Sequence, residues 1–246
     1  KESKNGEQDD FLYSYAGGVI GRAGNLVEID NCRNMDVGDV VTQGTYLGGI
    51  CEVNEGLIKN CSVSSIGTAG RSYVGGITGF NKGEIKNCSF TNKTITGNDY
   101  VGGIAAQNYG TISGTWLFGG IVNASGSYVG GIAGANSAEG SIILIQDGDS
   151  VSDTSMATAN AEIKAGGTYV GGITGYNAGQ IQNKRNVNDS EDFEFFTFTG
   201  SIIGDKMAGG FVGESVSENQ VIQNVKNAAI VVAGNGNAGG IVRSEE

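Results

Sequence analysis

YVGGITGFNKGEIKNCSF, Tyr73 to Phe90, has the glycine density of a phosphate-binding loop and an Asn-Cys pair that resembles a reactive site. Its neighbours give it a different meaning, because the chain repeats it. Gly-Gly pairs in this setting, leading from a short apolar piece into Ile, Val or Phe at the start of each copy, stand at 17–18, 48–49, 75–76, 102–103, 130–131, 171–172, 209–210 and 239–240, spaced by 31, 27, 27, 28, 41, 38 and 30 residues. The shared pattern is Tyr-[Val/Leu/Ala]-Gly-Gly-[Ile/Val], followed by Asn, Gly, Ile and, in some copies, Asn-Cys. A recurring unit of about 27 residues with two enlarged copies signals a repeat architecture.

Each unit splits into short pieces. YVGGITGFN, GEIKNCSFT and KTITG are bounded by Gly or Asn and rich in Val, Ile, Thr and Tyr, the composition of strands. No long stretch carries the i, i+3, i+4, i+7 apolar pattern of a helix. Three short strands per unit predict an all-β fold, a single-stranded right-handed parallel β-helix (β-solenoid) of seven to eight coils of ~27 residues. A propeller blade needs roughly 40 residues or more, and a leucine-rich horseshoe needs a Leu-Asn pattern that is absent. Residues 1–14, beginning KESKNGEQDD, read as a polar leader or tether, and 15–246 as one β-helix domain with insertions near 144–166 and 186–204.

The 246 residues include 44 glycines and no proline, with 39% hydrophobic and 17% charged. Glycine without proline excludes collagen and Pro-rich linkers. A net charge of −11 repels phosphates and anionic membranes, so neither nucleic acid nor a membrane surface is expected as a partner. No apolar run approaches the roughly 20 residues that span a bilayer. The first residue is Lys1 rather than Met, which suggests a trimmed chain.

VGGITG at 74–79, VGGIAG at 129–134 and VGGITG at 170–175, with NxGxIxNC following in the second and third units, resemble the GLUG motif of bacterial surface proteins. The likeness runs from about Tyr15 to Val242. It implies an exported, extracellular bacterial protein, adhesin-like or a non-catalytic part of a larger surface protein, tethered through its N-terminus. Copies seven and eight, MAGGFVGES and NAGGIV, depart from the pattern as terminal coils. Some family members carry peptidase domains elsewhere, but this chain has no histidine, so a zinc-binding His-Glu-x-x-His helix cannot form.

The functional readings follow residue by residue. A phosphate site needs one glycine turn opening a helix, whereas these turns recur and lead into strands, so the glycines belong to solenoid corners. Asn54, Asn81, Asn108, Asn136 and Asn177 follow the Gly-Gly; Asn31, Asn60, Asn87 and Asn183 follow the mid-repeat Ile. Both series suit corners, through left-handed backbone or amides bonded from coil to coil. Cys32, Cys61 and Cys88 share one slot and read, with Cys51, as reduced and mostly buried thiols, with neither a nucleophile's partner nor zinc spacing.

Carboxylates are the only catalytic material. Glu52 and Glu55 share a coil, but the next coil has Gly79 and Lys82 there, and DSEDFE at 189–194 reads as solvated surface. Asp147, Asp149 and Asp153 echo a calcium loop without its spacing. No catalytic residue, metal or cofactor is assigned, and the chain reads as no enzyme. Tyr15, Tyr46, Tyr73, Tyr100, Tyr128 and Tyr169 stand two residues before the Gly-Gly of the first six copies. Alternation sends them outward if the glycines reset the face at a corner. Tyr46, Tyr73, Tyr100, Tyr128 and Tyr169 are therefore the candidate ligand-binding residues, offering flat faces with polar tips to a glycan or a host or partner protein. The insertions are a second candidate, and FEFFTFTG at 193–200 reads as an extra strand or a cover over the solenoid's side. Two rivals stand beside this binding module: a carbohydrate-active β-helix enzyme and a passive spacer.

Overall fold

The computed structural model describes residues 15–35, 39–42, 44–64, 67–144, 158–182, 196–216, 222 and 225–241. These residues are wound as an all-β parallel solenoid. Each regular coil carries five strands, where the sequence pieces suggested three. In the third coil they are Val74–Gly75, Thr78–Asn81, Glu84–Lys86, Ser89–Thr91 and Thr94–Gly97. What looked like single pieces bend at Gly76 and at Asn87, and each bend divides one stretch into two strands.

Strands of equal rank stack into parallel sheets, called sheets 1 to 5 here, of eight, seven, six, five and seven strands; a further two-stranded sheet pairs Phe196–Phe198 with Val225–Asn227. Among the described residues six coils hold all five strands, the seventh holds four, and Asn237–Gly239 opens an eighth. The expected seven to eight coils thus resolve into six complete ones. No helix of the described residues is long and apolar enough to cross a membrane.

The core consists of rows of like residues. Leu47, Val74, Val101, Val129 and Val170 stack in sheet 1. Ile29, Ile58, Ile85, Ile112, Ile142 and Ile181 stack in sheet 3. Ile95, Val122, Ile163 and Ile202 stack in sheet 5. Nearly all are fully buried, so each row excludes water along the axis and each coil depends on its neighbours for that burial. Sheet 4 runs through Asn34, Val63, Phe90, Leu117 and Thr158, and Phe198 pairs with Asn227 in the two-stranded sheet. Polar Asn34 opens the sheet 4 row, and its amide donates to the Gly49 carbonyl at 2.7 Å.

FEFFTFTG finds its place here. Phe196–Phe198 is not an extra strand but the fourth strand of the sixth coil, with Phe198 fully buried in the core.

The Gly-Gly pairs are required by contact rather than by backbone conformation. Neither glycine of a pair is among the residues with positive φ. A Cβ on Gly75 would lie 1.9 Å from the Thr78 carbonyl oxygen, and one on Gly76 would lie 2.2 Å from the Gly103 oxygen and 2.7 Å from the Phe90 ring. The left-handed turns fall instead on Asn31, Asn60 and Asn87, with φ of 51° to 54°, and on Gly114 in the next coil at 54°. Asn and Gly alternate in that slot because both tolerate this region.

A second Asn series holds the coils in line. The side-chain amide of Asn54 donates to Asn81 Oδ1, Asn81 to Asn108, Asn108 to Asn136 and Asn136 to Asn177, each at 2.8 Å. All five are fully buried. Interior Asn amides each give one hydrogen bond onward and receive one from the coil before, so the row leaves no amide unpaired in the middle.

Glu52 breaks the rule. Its slot holds Gly21, Gly79, Ala106, Gly134, Gly175 and Gly213 in the other coils. Glu52 is fully buried there, and neither carboxylate oxygen has a hydrogen-bond partner. Burial pushes its pKa up to about 7 from an ordinary 4.5, against a smaller opposing pull from Arg22.

Gly76→Ala is expected to cost roughly 1–3 kcal/mol or more, because its Cβ meets backbone that cannot yield. Gly240→Ala, with nothing within 4 Å of its Cβ, should be near neutral; urea denaturation of both variants checks the contrast. For Glu52 the folded pKa lies above the unfolded one, so the folded state binds the extra proton. Its contribution is present below about pH 4.5 and is lost as pH rises through about 7. Glu52→Gln should flatten the fall in urea midpoint between pH 5 and pH 7 and be the more stable protein at pH 8.

Candidate functional site

The tyrosines occupy the corner that leads from sheet 5 into sheet 1. Tyr73, Tyr100, Tyr128 and Tyr169 have φ of 53°, 54°, 64° and 65°, a left-handed backbone that a bulky L-residue rarely adopts. This corner lets the following Val turn inward while the ring stays out. The sequence reading assigned that reversal to the glycines; the structure places it on the tyrosine itself. A left-handed residue costs roughly 1–2 kcal/mol, and such strain is retained where the surroundings hold it in place.

Ring stacking supplies that hold. Tyr46 and Tyr73 have centroids 4.6 Å apart, Tyr73 and Tyr100 4.7 Å, Tyr100 and Tyr128 4.4 Å, and Tyr128 and Tyr169 5.0 Å. The planes tilt by 24°, 13°, 1° and 38° along the column. Aromatic pairs contribute about 0.5–1.5 kcal/mol each beyond burial, comparable to the strain. The column survives the enlarged fifth coil, because Val129 still pairs with Val170 across it. All five expected residues are thus brought together. They are half-buried: each ring is covered by its neighbours and open at its edge.

A second row flanks the column, built by Val53, Phe80, Gln107, Ala135, Tyr176 and Glu214 in successive coils of sheet 2. Phe80 meets Tyr46 edge-on at 6.0 Å, and Tyr176 meets Tyr128 and Tyr169 edge-on at 5.9 Å. Tyr109 extends this surface against Phe80 at 5.1 Å, and the Lys82 ammonium sits 5.5 Å over the Phe80 ring. The sequence reading missed Phe80, Gln107, Tyr109, Tyr176 and Glu214. A signal for the row existed: it immediately precedes the ladder asparagines, as in GFN, AQN, GAN and GYN, so an inward Asn sends its predecessor outward.

Between the two rows lies a cleft of about 570 Å³. Its aromatic lining is Tyr100, Tyr109, Tyr128, Tyr169 and Tyr176, and its polar side chains include Gln107 and Glu214. Burial, with Tyr128 and Tyr73 beside it, pushes the Tyr100 phenol up to about 12. Burial also raises Tyr73 and Tyr176, aided by Tyr109 and Asp99 at the first and by Glu214 at the second. These hydroxyls stay protonated at neutral pH and can both donate and accept hydrogen bonds.

The other candidates fall elsewhere. Cys51, Cys61 and Cys88 are buried, Cys32 is half-buried, and all four are free. Burial raises the Cys51 thiol to about 11, and the adjacent Cys61 sulfur together with burial raises Cys88. Glu52 is sealed inside, whereas Glu55 binds Arg22 at 2.9 Å on the surface, so the two do not face a common substrate. The acidic run 189–194 and Asp147, Asp149 and Asp153 lie outside the described residues, as does Asn183. Among the described residues no group of three or more His, Cys, Asp or Glu could hold a metal ion.

No curated protein and no solved structure matches the chain. The family model of the GLUG motif matches residues 70–96, which span the third coil from the turn before Tyr73 to the strand at its end. The coils on either side keep that coil's register strand for strand, so the chain is a repeat protein that carries the GLUG motif, wound as a parallel β-solenoid.

Proposed function

We propose that this protein is a non-enzymatic module of the bacterial cell surface, exported and adhesin-like, that binds glycans through its tyrosine-lined face. The observation that carries this reading is the half-open column of stacked tyrosines beside a cleft of about 570 Å³. A pyranose ring presents hydroxyls at its rim, which suit the phenols and an amide, and apolar C–H groups that can pack against the open part of the rings. The cleft falls within the roughly 300–1,000 Å³ of small-molecule sites. The column also runs along the axis, so a chain of sugars can contact several coils at once and gain from multivalency. The GLUG match and the repeat fold support the surface role.

Removing rings tests this without disturbing the backbone. Tyr100→Asn and Tyr128→Asn keep a residue that tolerates positive φ, as Asn31, Asn60 and Asn87 do in their corners. On a glycan array followed by calorimetry, the wild type is expected to retain at least one oligosaccharide. Each variant should weaken it about tenfold or more, about 1.4 kcal/mol, with an unchanged circular dichroism spectrum. Retention of no glycan, or affinity indifferent to both substitutions, would contradict the reading.

A further inference from the structure

The flanking row has a gap. Val53, Phe80 and Gln107 precede it and Tyr176 and Glu214 follow, but the fifth coil contributes only Ala135. The small residues continue outward, with Ser137 and Ala138 in the same coil and Ala178 in the next. Coils are spaced at about 4.8 Å, so a methyl where its neighbours carry a ring or an amide leaves a notch one to two coils wide. Gln107 and Tyr109 wall one side, Tyr176 and Glu214 the other, and the tyrosine column closes the flank.

The chemistry of the walls is one-sided. Among the described residues Glu214 is the only charged one lining the notch, and it stands close enough to Tyr176 to act on its phenol. No Lys or Arg is among the described residues that line it. The chain as a whole carries −11. An anionic sugar would meet a carboxylate and a negative field. A ring bearing an ammonium would meet the Glu214 carboxylate, which attracts a cation, while its hydroxyls meet the phenols and the Gln107 amide.

We propose that the notch at Ala135 is a subsite for a pyranose ring carrying a protonated amine, which makes the protein selective for amino-sugar polymers over neutral and acidic ones. Gln107 and the tyrosine hydroxyls bond the ring hydroxyls, Tyr128 and Tyr169 line the flank, and Glu214 pairs with the amine. This inference rests on the glycan-binding reading above and adds the class of sugar to it.

Calorimetry at slightly acidic pH compares a glucosamine hexamer, its fully N-acetylated counterpart, cellohexaose and a hexamer of galacturonate. The glucosamine hexamer is expected to bind about tenfold or more tighter than cellohexaose, and the galacturonate hexamer not to bind measurably. Glu214→Gln should bring the glucosamine and cello oligomers to parity. Ala135→Tyr fills the notch with the residue the next coil already carries, Tyr176, and should abolish the preference at unchanged net charge. Equal binding of glucosamine and cello oligomers by the wild type would overturn the subsite and leave the glycan-binding face standing. A preference that survives Ala135→Tyr would also overturn it, since diffuse attraction to an acidic protein needs no notch. Failure of every oligosaccharide to bind would remove both proposals together.

Discussion

Backbone approach at the Gly-Gly corner is the constraint on which the rest of this solenoid depends. At that corner each coil lies so near the next that a Cβ on Gly49, Gly76 or Gly103 would sit 1.9–2.2 Å from the following coil's glycine oxygen. Contact this close admits one vertical alignment, with glycine over glycine. Once it is set, every side chain a fixed distance along the coil falls above its counterpart. The Ile rows, the Asn ladder and the tyrosine column are consequences of that alignment. It also explains how coils of 27 and 41 residues coexist, because the glycine corner keeps the same register across both.

The two Asn series and the tyrosines show how one residue type serves different ends by position. Asn31, Asn60 and Asn87 turn the chain, and Gly114 can replace them because the turn asks only for positive φ. Asn54 to Asn177 are sealed and unreplaced across five coils because each amide completes its neighbours' hydrogen bonding. Tyrosine accepts the same left-handed backbone at a cost, and stacking offsets that cost only when rings occupy successive coils. An isolated tyrosine there would be strained without recompense. The column is therefore a structural spine of this corner.

The repeat itself was readable because Gly-Gly, Asn and Ile recur in the linear sequence. Three things were less so. Five strands per coil looked like three, because strands as short as Val74–Gly75 join their neighbours through bends that propensity does not mark. The left-handed tyrosines contradict the β preference of aromatic residues; only contact between coils fixes them, and such contact is not a local property. Phe196–Phe198 looked like an addition because its insertion hid that the sixth coil otherwise lacked a fourth strand. Ala135 carried no signal at all. An alanine is unremarkable along the chain and becomes a feature only between Gln107 and Tyr176 in the stack.

The register of the stack is the claim that supports all the others, and the Asn ladder reports it most directly. Hydrogen exchange of the side-chain amides, followed by NMR with Asn54, Asn81, Asn108 and Asn136 assigned, measures whether each Nδ2 group is held in a buried bond. The account predicts exchange slowed to the rate set by global unfolding at all four, while exposed amides exchange freely. Free exchange at Asn81 and Asn108 in the folded protein would contradict it, since no alignment of coils could then place the tyrosines in one column.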